Sequence, residues 1–171
     1  MKRPYKALPP VEVLRDLLRY DSDTGQLYWR GPRSGGSTAK PAGHVPGSGR
    51  QMITINYELY HAPRIVWAMV TGKDPGQHSI DHIDRDPLNN LFANLRLATP
   101  GQQLQNQATR NRHGLKGVSY NGSRSKPWRA SVTSQGVRHF LGYYATAEEA
   151  HAAYQRAASR LFGEFACFDS K

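Results

Sequence analysis

The chain has 171 residues, 38% of them apolar, and a mean hydropathy of −0.67, values that favour two small cores over one large core. The formal net charge of +10 and the pI near 10.0 favour a polyanionic partner. The single cysteine, Cys167, excludes an intramolecular disulfide and a zinc site of several cysteines. Because neither a signal-peptide core nor an apolar run of about 20 residues is present, we expect a soluble, cytoplasmic protein.

The N-terminal part of the chain is predicted to contain one helix and one strand. Proline suits the first turn of a helix, and leucine and valine recur at helical spacing over residues 9–20. Residues 21–25 are predicted to form a turn, whose chemistry explains Asp21 and Asp23 better than a cation-binding loop does. A short strand at 27–29 and a Gly/Ser/Pro-rich loop at 31–49 follow.

The middle of the chain is predicted to alternate strands and helices. The predicted elements are a strand at 52–57, a helix at 64–70 that ends before Gly72, and strands at 79–83 and 95–98 joined by a polar loop. The sequence Thr99-Pro100-Gly101-Gln102 then has the signature of a capped helix, which we expect to run to about Arg110.

The C-terminal part is predicted to form a three-stranded sheet and a helix. The strands are expected at 117–120, 128–133 and 137–142, with Gly/Ser turns between them. Thr146 and Glu149 form a capping box at the start of a helix that runs to about Phe162. The side chains predicted to pack on the sheet recur at helical spacing: Ala150, Ala153, Tyr154, Ala157 and Leu161.

Positive charge is concentrated in one stretch of the chain. No acidic residue occurs between Asp86 and Glu148. The basic residues in this interval are Arg96, Arg110, Arg112, Lys116, Arg124, Lys126, Arg129 and Arg138. A solvated surface usually mixes both signs, so this interval predicts a surface that faces phosphates. A membrane surface would attract the same charge, but the interval contains no basic amphipathic helix, and nucleic acid is the favoured partner.

A second group of residues has the composition of a phosphodiesterase site. Asp81 and His82 stand at the end of a predicted strand, Asn94 ends the following loop, and Gln103 and Asn106 lie on the capped helix. Phosphodiester hydrolysis needs a base near the water, a cation on the phosphate oxygens and groups that hold both. A histidine can take the proton, while carboxylate and amide oxygens suit Mg²⁺. Each residue taken alone is more often structural.

Order and spacing strengthen the functional interpretation. The stretch from Asp81 to Asn106, with its IDHID, DPLNN and NLRLAT elements, resembles the HNH endonucleases, whose nuclease core is a ββα-metal motif. The upstream segments YDSDTGQLYW and RIVWAMVTG are similar to phage-type members, so the resemblance covers residues 13–111. It implies that His82 is the general base, that Asp81 is a metal ligand, and that Asn94 braces the loop and the histidine.

Two positions depart from the family pattern. The last HNH position, an Asn or His metal ligand at the start of the helix, falls on Gln103, which is one methylene longer than Asn. Asn106, one helical turn further on, is the alternative ligand. The family also has His just before the arginine of RIVW, whereas this chain has Pro63 there and His61 two residues earlier. We expect this second difference to concern architecture.

Residues 116–168 resemble the plant ethylene-responsive-factor, or Apetala-type, DNA-binding domain. The elements KGVSY, WRASV, LGYYATAEEAHAAY and FGEFA carry the match. The resemblance implies a three-stranded sheet in the major groove with a helix behind it. Arg138 and Phe140 match DNA-contacting positions of that family, an arginine and a tryptophan. Ser119 and Thr133 stand where the plant domains have arginines, so the base readout must differ.

Strand alternation independently predicts the same outward face. In the strand at 128–133 the even-numbered residues face the helix and the odd-numbered residues face away. Arg124 and Lys126 lie in a turn and are predicted to touch phosphate, which positions the protein without specifying sequence. The predicted DNA-contacting residues are Arg96, Ser119, Tyr120, Arg124, Lys126, Arg129, Ser131, Thr133, Arg138 and Phe140.

The sequence therefore predicts an α+β protein of two domains. A ββα-metal HNH nuclease domain with an N-terminal helix and strand extension is expected at 1–110, a linker at 111–115, and a three-stranded antiparallel sheet packed on one helix at 116–171. The expected function is sequence-recognising, Mg²⁺- or Mn²⁺-dependent cleavage of double-stranded DNA, resembling phage homing endonucleases in a phage or bacterial host.

No zinc, small-molecule cofactor or membrane partner is expected, and the chain is predicted to be a monomer or weak dimer. One alternative is a DNA-binding regulator with a decayed nuclease core, which Gln103 favours. Another is a structural nucleic-acid packaging protein, which fits less well with Asp81 and His82 beside a capped helix.

Overall fold

The computed structural model describes residues 6–32, 38–109 and 111–168. In chain order its elements are α1 (Val11–Leu17), β1 (Leu18–Tyr20), β2 (Leu27–Trp29), β3 (Met52–Ile55), β4 (Glu58–His61), α2 (Ala62–Thr71), β5 (Ser79–His82), β6 (Leu95–Ala98), α3 (Pro100–Asn106), β7 (Val118–Tyr120), β8 (Trp128–Ser134), β9 (Val137–Tyr144) and α4 (Ala147–Phe162). Short 3-10 turns occur at Phe92–Asn94 and Gly163–Phe165. These helices and small antiparallel sheets confirm the α+β class.

The chain divides into two compact units, Met1–Thr99 and Pro100–Lys171, called unit 1 and unit 2 below. The division lies before α3, so the linker predicted at 111–115 falls inside unit 2. The predicted boundaries of the two functional domains stay a prediction.

The N-terminal helix is shorter than predicted. Of the helix expected over 9–20, the last three residues instead form β1, which pairs antiparallel with β2. Arg30 follows β2, and its Nε donates to the carbonyl oxygens of Arg15 at 2.8 Å and Leu18 at 3.1 Å. Carbonyl groups at the helix end therefore have a partner outside the helix, and the chain can leave it without unsatisfied acceptors.

A hairpin replaces the single strand predicted at 52–57. β3 pairs antiparallel with β4, which the sequence analysis missed. Asn56 and Tyr57 turn the chain with positive φ angles of 50° and 65°. A two-residue turn with both central φ angles positive matches the twist of paired strands, but such turns usually carry glycine at the second position. Because Tyr57 occupies that position here, the sequence lacks the glycine that usually indicates such a turn.

α2 provides the centre of the unit 1 core. It begins one residue before Pro63 and ends at Gly72, whose φ of 74° is left-handed, which confirms the predicted stop. β5 and β6 pair antiparallel as predicted, with Asp81 opposite Arg96. The largest fully buried apolar residues of this core are Leu14, Leu18, Leu27, Ile53, Ile55, Ile65 and Val66.

Unit 2 contains the sheet β7–β8–β9, and α4 packs on it. Thr146 caps α4, with its side chain accepting from the N–H of Glu149, and the predicted capping box is present. The prediction that Leu161 packs on the sheet is wrong, because its side chain is 48% exposed and Ala158 is buried instead. The buried face runs through Ala150, Ala153, Tyr154 and Ala158, which keeps the 3.6-residue period.

α3 also ends earlier than predicted. It stops at Asn106, whereas the sequence favoured a helix to about Arg110, a residue outside the described part of the chain. Lys116 Nζ donates to the carbonyl oxygens of Gln105 at 2.5 Å and Gln107 at 2.6 Å. A cation on the last carbonyl groups is favourable at a helix C-terminus, and it replaces the next helical turn as their partner.

Gly117 fixes the approach of β7 to α4. Its φ is +78°, and a Cβ atom at this position would lie 2.0 Å from Cδ2 of the buried Tyr154 ring. Only glycine meets both requirements, because other residues rarely adopt this φ and their Cβ would overlap the ring. Burial also raises the pKa of Tyr154 to about 12.

Candidate active site

Asp81 and His82 occupy the end of β5, where the hairpin with β6 opens into the loop at 83–94. Asp81 is buried and forms an ion pair with Arg96, whose Nε and Nη2 both lie 2.9 Å from Asp81 Oδ2. The two side chains are each 10% exposed. The structure thus places Arg96, predicted as a DNA contact, in the interior as the partner of Asp81.

His82 is half-buried and belongs to a chain of side-chain hydrogen bonds. Its Nε2 lies 3.1 Å from Asn90 Oδ1, and Asn90 Nδ2 donates to Gln51 Oε1 at 2.9 Å. Gln51 Nε2 in turn donates to the carbonyl oxygen of Ala42 at 2.9 Å. We call Gln51, Asn90 and His82 the amide chain. The sequence analysis missed Gln51 and Asn90, because 39 residues separate them and the fold alone brings them together.

The backbone around Asn90 is held from two sides. The Tyr20 hydroxyl donates to the Asn90 carbonyl oxygen at 3.2 Å and accepts from the N–H of Phe92 at 2.9 Å. On the other side Gly25, with φ +72°, lies so close that a Cβ there would be 2.7 Å from the Asn90 carbonyl carbon. The turn at 21–25, confirmed by N–H groups that donate to Asp21 Oδ1, thereby contributes to the site.

Asn94 and Asp84 brace the loop that follows His82. Asn94 Oδ1 accepts from the N–H of Asp84 at 3.0 Å, and Asn94 Nδ2 donates to Asp84 Oδ1 at 2.8 Å. Burial acts to raise the pKa of Asp84, but hydrogen bonds from the Asp86 N–H and the Asn89 and Asn94 amides outweigh it, so the pKa is lowered overall. Asn94 therefore binds within the loop, while the amide that reaches His82 belongs to Asn90.

The two candidate metal ligands on α3 belong to unit 2 and are described within it. Gln103 is half-buried, and Asn106 is 7% exposed. The neighbouring Gln105 Nε2 donates to the carbonyl oxygen of Thr133 in β8 at 3.4 Å. Both ligand assignments stay predictions.

The outer face of the sheet in unit 2 carries most of the predicted DNA contacts. Its register pairs Ser119 with Arg129, Arg129 with Tyr143, Ser131 with Phe140, and Thr133 with Arg138. Tyr143 was not predicted, because a β-bulge between Ala130 and Ser131 shifts the alternation and simple counting cannot reveal it. Arg124 and Lys126 are exposed in the turn between β7 and β8.

Aromatic and cationic side chains are clustered on this face. Phe140 and Tyr143 are 53% and 48% exposed, whereas Tyr120, a predicted DNA contact, pairs with Trp128 on the opposite face. The Phe140 and Tyr143 ring centres lie 4.9 Å apart, and the Arg129 guanidinium carbon is 5.4 Å from the Phe140 ring centre. Among the described residues, no acceptor is bonded to the buried Arg129 Nε. The face thus combines positive charge and exposed rings with a donor that has no bonded acceptor in the part of the chain that the structure describes.

Sequence comparison identifies the family to which this site belongs. The model of a family described as HNH endonuclease matches residues 60–105, which include β5, the loop, β6 and most of α3. Protein 3.8 of Escherichia phage T7 is 42% identical over 87 residues, which cover 48% of this chain and 71% of that protein. The chain belongs to the HNH endonuclease family. Family membership supports a DNA nuclease.

A second relative extends the similarity along the chain. The uncharacterized HNH endonuclease L560 of Acanthamoeba polyphaga mimivirus is 36% identical over 122 residues, or 69% of this chain. The aligned region spans 63% of that protein's own length. No solved structure matches the chain significantly. None of the helices in the described residues is long and apolar enough to cross a membrane.

HNH nucleases are generally metal-dependent, and the donor chemistry at Asp81 suits a hard cation. Within residues 6–32, 38–109 and 111–168, no cluster of three or more His, Cys, Asp or Glu side chains is arranged to hold a metal ion. A site here would therefore rely on the Asp81 carboxylate, on neutral oxygens from amides and water, and on the anionic oxygens of DNA phosphate. Mg²⁺ accepts such a set, because it binds through one or two carboxylates and retains waters and phosphate oxygens.

Proposed function

We propose that this chain is an endonuclease that hydrolyses phosphodiester bonds in double-stranded DNA and requires Mg²⁺ or Mn²⁺. The observation that carries the proposal is the position of His82 directly after Asp81 at the end of β5, with its ring held by Asn90. A histidine and an aspartate at one strand end offer a general base and an oxygen ligand.

The residues of unit 1 divide the chemistry between them. His82 accepts a proton from the water that attacks phosphorus, and Asn90 keeps the ring from rotating. Asp81 would hold the metal together with an amide oxygen from Gln103 or Asn106, and Arg96 orients its carboxylate. When bound, Mg²⁺ supplies positive charge against the charge that builds on the phosphate and leaving oxygens. The products are 5′-phosphate and 3′-hydroxyl ends.

DNA recognition is assigned in this proposal to the sheet of unit 2. The cationic and aromatic outer face suits a phosphate backbone and base edges, and the resemblance to Apetala-type domains puts such a face in the major groove. The Arg129 guanidinium lies against the Phe140 ring and provides a cation on this face. The same proposal includes a linker at 111–115, cleavage at a recognised DNA sequence, and a role as a homing endonuclease.

Cleavage of supercoiled plasmid DNA with and without Mg²⁺ tests the nuclease function. We expect His82→Ala to lower the cleavage rate by about 10²–10⁴, the usual contribution of a positioned base, and to leave DNA affinity unchanged. The matched control is His44→Ala, which removes an exposed imidazole from the same unit. A cleavage rate within a few-fold of wild type for His82→Ala, or full activity after exhaustive chelation, contradicts the proposal.

A DNA-binding regulator with a decayed nuclease core is the second candidate, and Gln103 at the usual Asn or His position favours it. The same assay separates the two functions. If the protein is a nuclease that uses Gln103, the variant Gln103→Ala loses cleavage and Gln103→Asn keeps it. If Asn106 is the ligand, the damaging change is Asn106→Ala. A regulator binds DNA without cutting it, and Gln103→Asn then has the potential to restore cutting.

A further inference from the structure

Each hydrogen bond of the amide chain has a defined donor and acceptor, because the chain ends at the backbone carbonyl oxygen of Ala42. Gln51 Nε2 lies 2.9 Å from the carbonyl oxygen of Ala42, an atom that can only accept. Gln51 therefore presents its nitrogen to Ala42 and its Oε1 atom to Asn90. Reversing this amide would bring two oxygens together inside the protein.

The same logic passes from Gln51 to the histidine ring. Because Gln51 Oε1 accepts at 2.9 Å from Asn90 Nδ2, the other side of the Asn90 amide, Oδ1, faces His82. Asn90 Oδ1 lies 3.1 Å from His82 Nε2, so Nε2 must carry the hydrogen of this bond. A neutral imidazole has one N–H group, and its lone pair is then on Nδ1.

Burial makes this polarity costly to reverse. Asn90 is 1% exposed, Gln51 is 6% exposed and Ala42 is 1% exposed. An unmade hydrogen bond at a buried polar group loses the full desolvation cost of that group. Asn90 also cannot move away, since Tyr20 bonds to its carbonyl oxygen and Gly25 abuts its carbonyl carbon.

We propose that Gln51 is a positioning residue that acts through Asn90 to hold His82 in the tautomer with hydrogen on Nε2 and the lone pair on Nδ1. This role rests on the proposed function, because Nδ1 is then the nitrogen that takes the proton of the attacking water. The other tautomer has its lone pair on Nε2, which faces Asn90, and carries a hydrogen where the base must accept one. Gln51 thus affects proton transfer without touching DNA or metal.

Nitrogen NMR of the His82 ring tests the tautomer in the full-length protein without DNA or metal. The spectrum is recorded in alkaline buffer, because only a neutral ring has two tautomers to distinguish. We expect a pyrrole-type signal for Nε2 and a pyridine-type signal for Nδ1 in the wild type. A pyridine-type Nε2 overturns the proposal, and this measurement needs no variant to fold.

Gln51→Met tests the role of Gln51, because methionine has a similar length and removes both hydrogen bonds. The Asn90 amide can then reverse, and we expect signals of the second tautomer to appear. The rate constant kcat should fall about tenfold to a hundredfold, as when other outer partners of a functional histidine are removed, while KM for DNA stays unchanged. Gln51→Leu serves the same purpose if the methionine variant does not fold.

The matched control is Ile53→Val in the neighbouring strand β3. Ile53 is fully buried and lies outside the amide chain, so the change loosens the same core without removing a hydrogen bond. We expect this control to keep the wild-type tautomer and kcat. If folded Gln51→Met also keeps both, Gln51 has no positioning role.

The two readouts keep this proposal separate from the nuclease proposal. Wild-type protein that shows the expected tautomer, and loses it in Gln51→Met, supports the amide chain even if it does not cut DNA. In that case the nuclease function fails and the structural role of Gln51 stands. Cleavage by the wild type with the opposite tautomer retains the nuclease and overturns the role of Gln51.

Discussion

Replacing Arg96 with methionine distinguishes an internal role of this cation from contact with DNA. Methionine fills most of the same volume but leaves the Asp81 carboxylate without its guanidinium partner. Because the two side chains are each only 10% exposed, solvent screens the pair weakly. Removing one partner of a buried ion pair typically costs about 3–5 kcal/mol, since an uncompensated charge stays behind. We expect the free energy of unfolding of unit 1 to fall by that amount.

A second change in the same background checks the cause. Adding Asp81→Asn removes the stranded charge, and we expect the double variant to recover most of the lost stability, giving a large coupling energy in a double-mutant cycle. Lys6→Met is the matched control, because Lys6 pairs with Glu58 at the surface with side chains 46% and 60% exposed. Exposed pairs contribute about 0–1 kcal/mol, so this variant should stay close to wild type.

Hydrogen exchange of the β5 and β6 amides at increasing denaturant reports the stability where the ion pair lies. DNA affinity is measured in parallel at low salt. Arg96→Met should lose protection in these strands and keep its affinity for DNA. Unchanged protection together with weaker DNA binding would refute the internal role and restore Arg96 to the DNA interface.

Two further outcomes are expected. Arg129→Ala and Arg138→Ala should each weaken duplex binding by about 1–3 kcal/mol if they read guanine. The control Arg160→Ala, on an exposed part of α4, should not weaken it. Equal losses in all three variants would mean non-specific attraction between charges. The pKa of Asp84 is lowered from its ordinary value of 3.8, so its hydrogen bonds stabilise the loop at 83–94 fully when the pH is above 3.8. This stabilisation is lost as the pH falls through the lower pKa of the folded protein. Amide exchange in the loop should therefore accelerate only in acid, and Asp84→Asn should abolish that pH dependence.

The sequence predicted those helix ends and strand faces that depend on only a few adjacent residues. The capping box of Thr146 and Glu149 gave the start of α4, and Gly72 gave the end of α2. Alternation gave β5, β6 and the inward direction of Ala130 and Val132. In each case the backbone needs a particular residue type at one position, and the sequence has that type there.

Other features depend on tertiary contacts that local patterns do not contain. Helix α1 ends where Arg30, which follows β2, donates to carbonyl groups at the helix end, and α3 ends where Lys116 donates in the same way. The bulge in the sheet brings Tyr143 to the outer face although simple alternation does not. Arg96 was grouped with the basic residues by charge alone, while its position opposite Asp81 in the strand register makes it an internal partner.

Residues before β3 contribute directly to the candidate active site. The sequence predicted an N-terminal helix and strand extension of the nuclease domain. In the structure Tyr20 and Gly25 fix the backbone of Asn90, and Gln51 fixes its amide. A ring held by Asn90 alone would be free to exchange tautomers, because an isolated amide can present either its oxygen or its nitrogen. The carbonyl group of Ala42 removes that freedom, so the tautomer proposed for His82 depends on chain segments that carry no catalytic motif of their own.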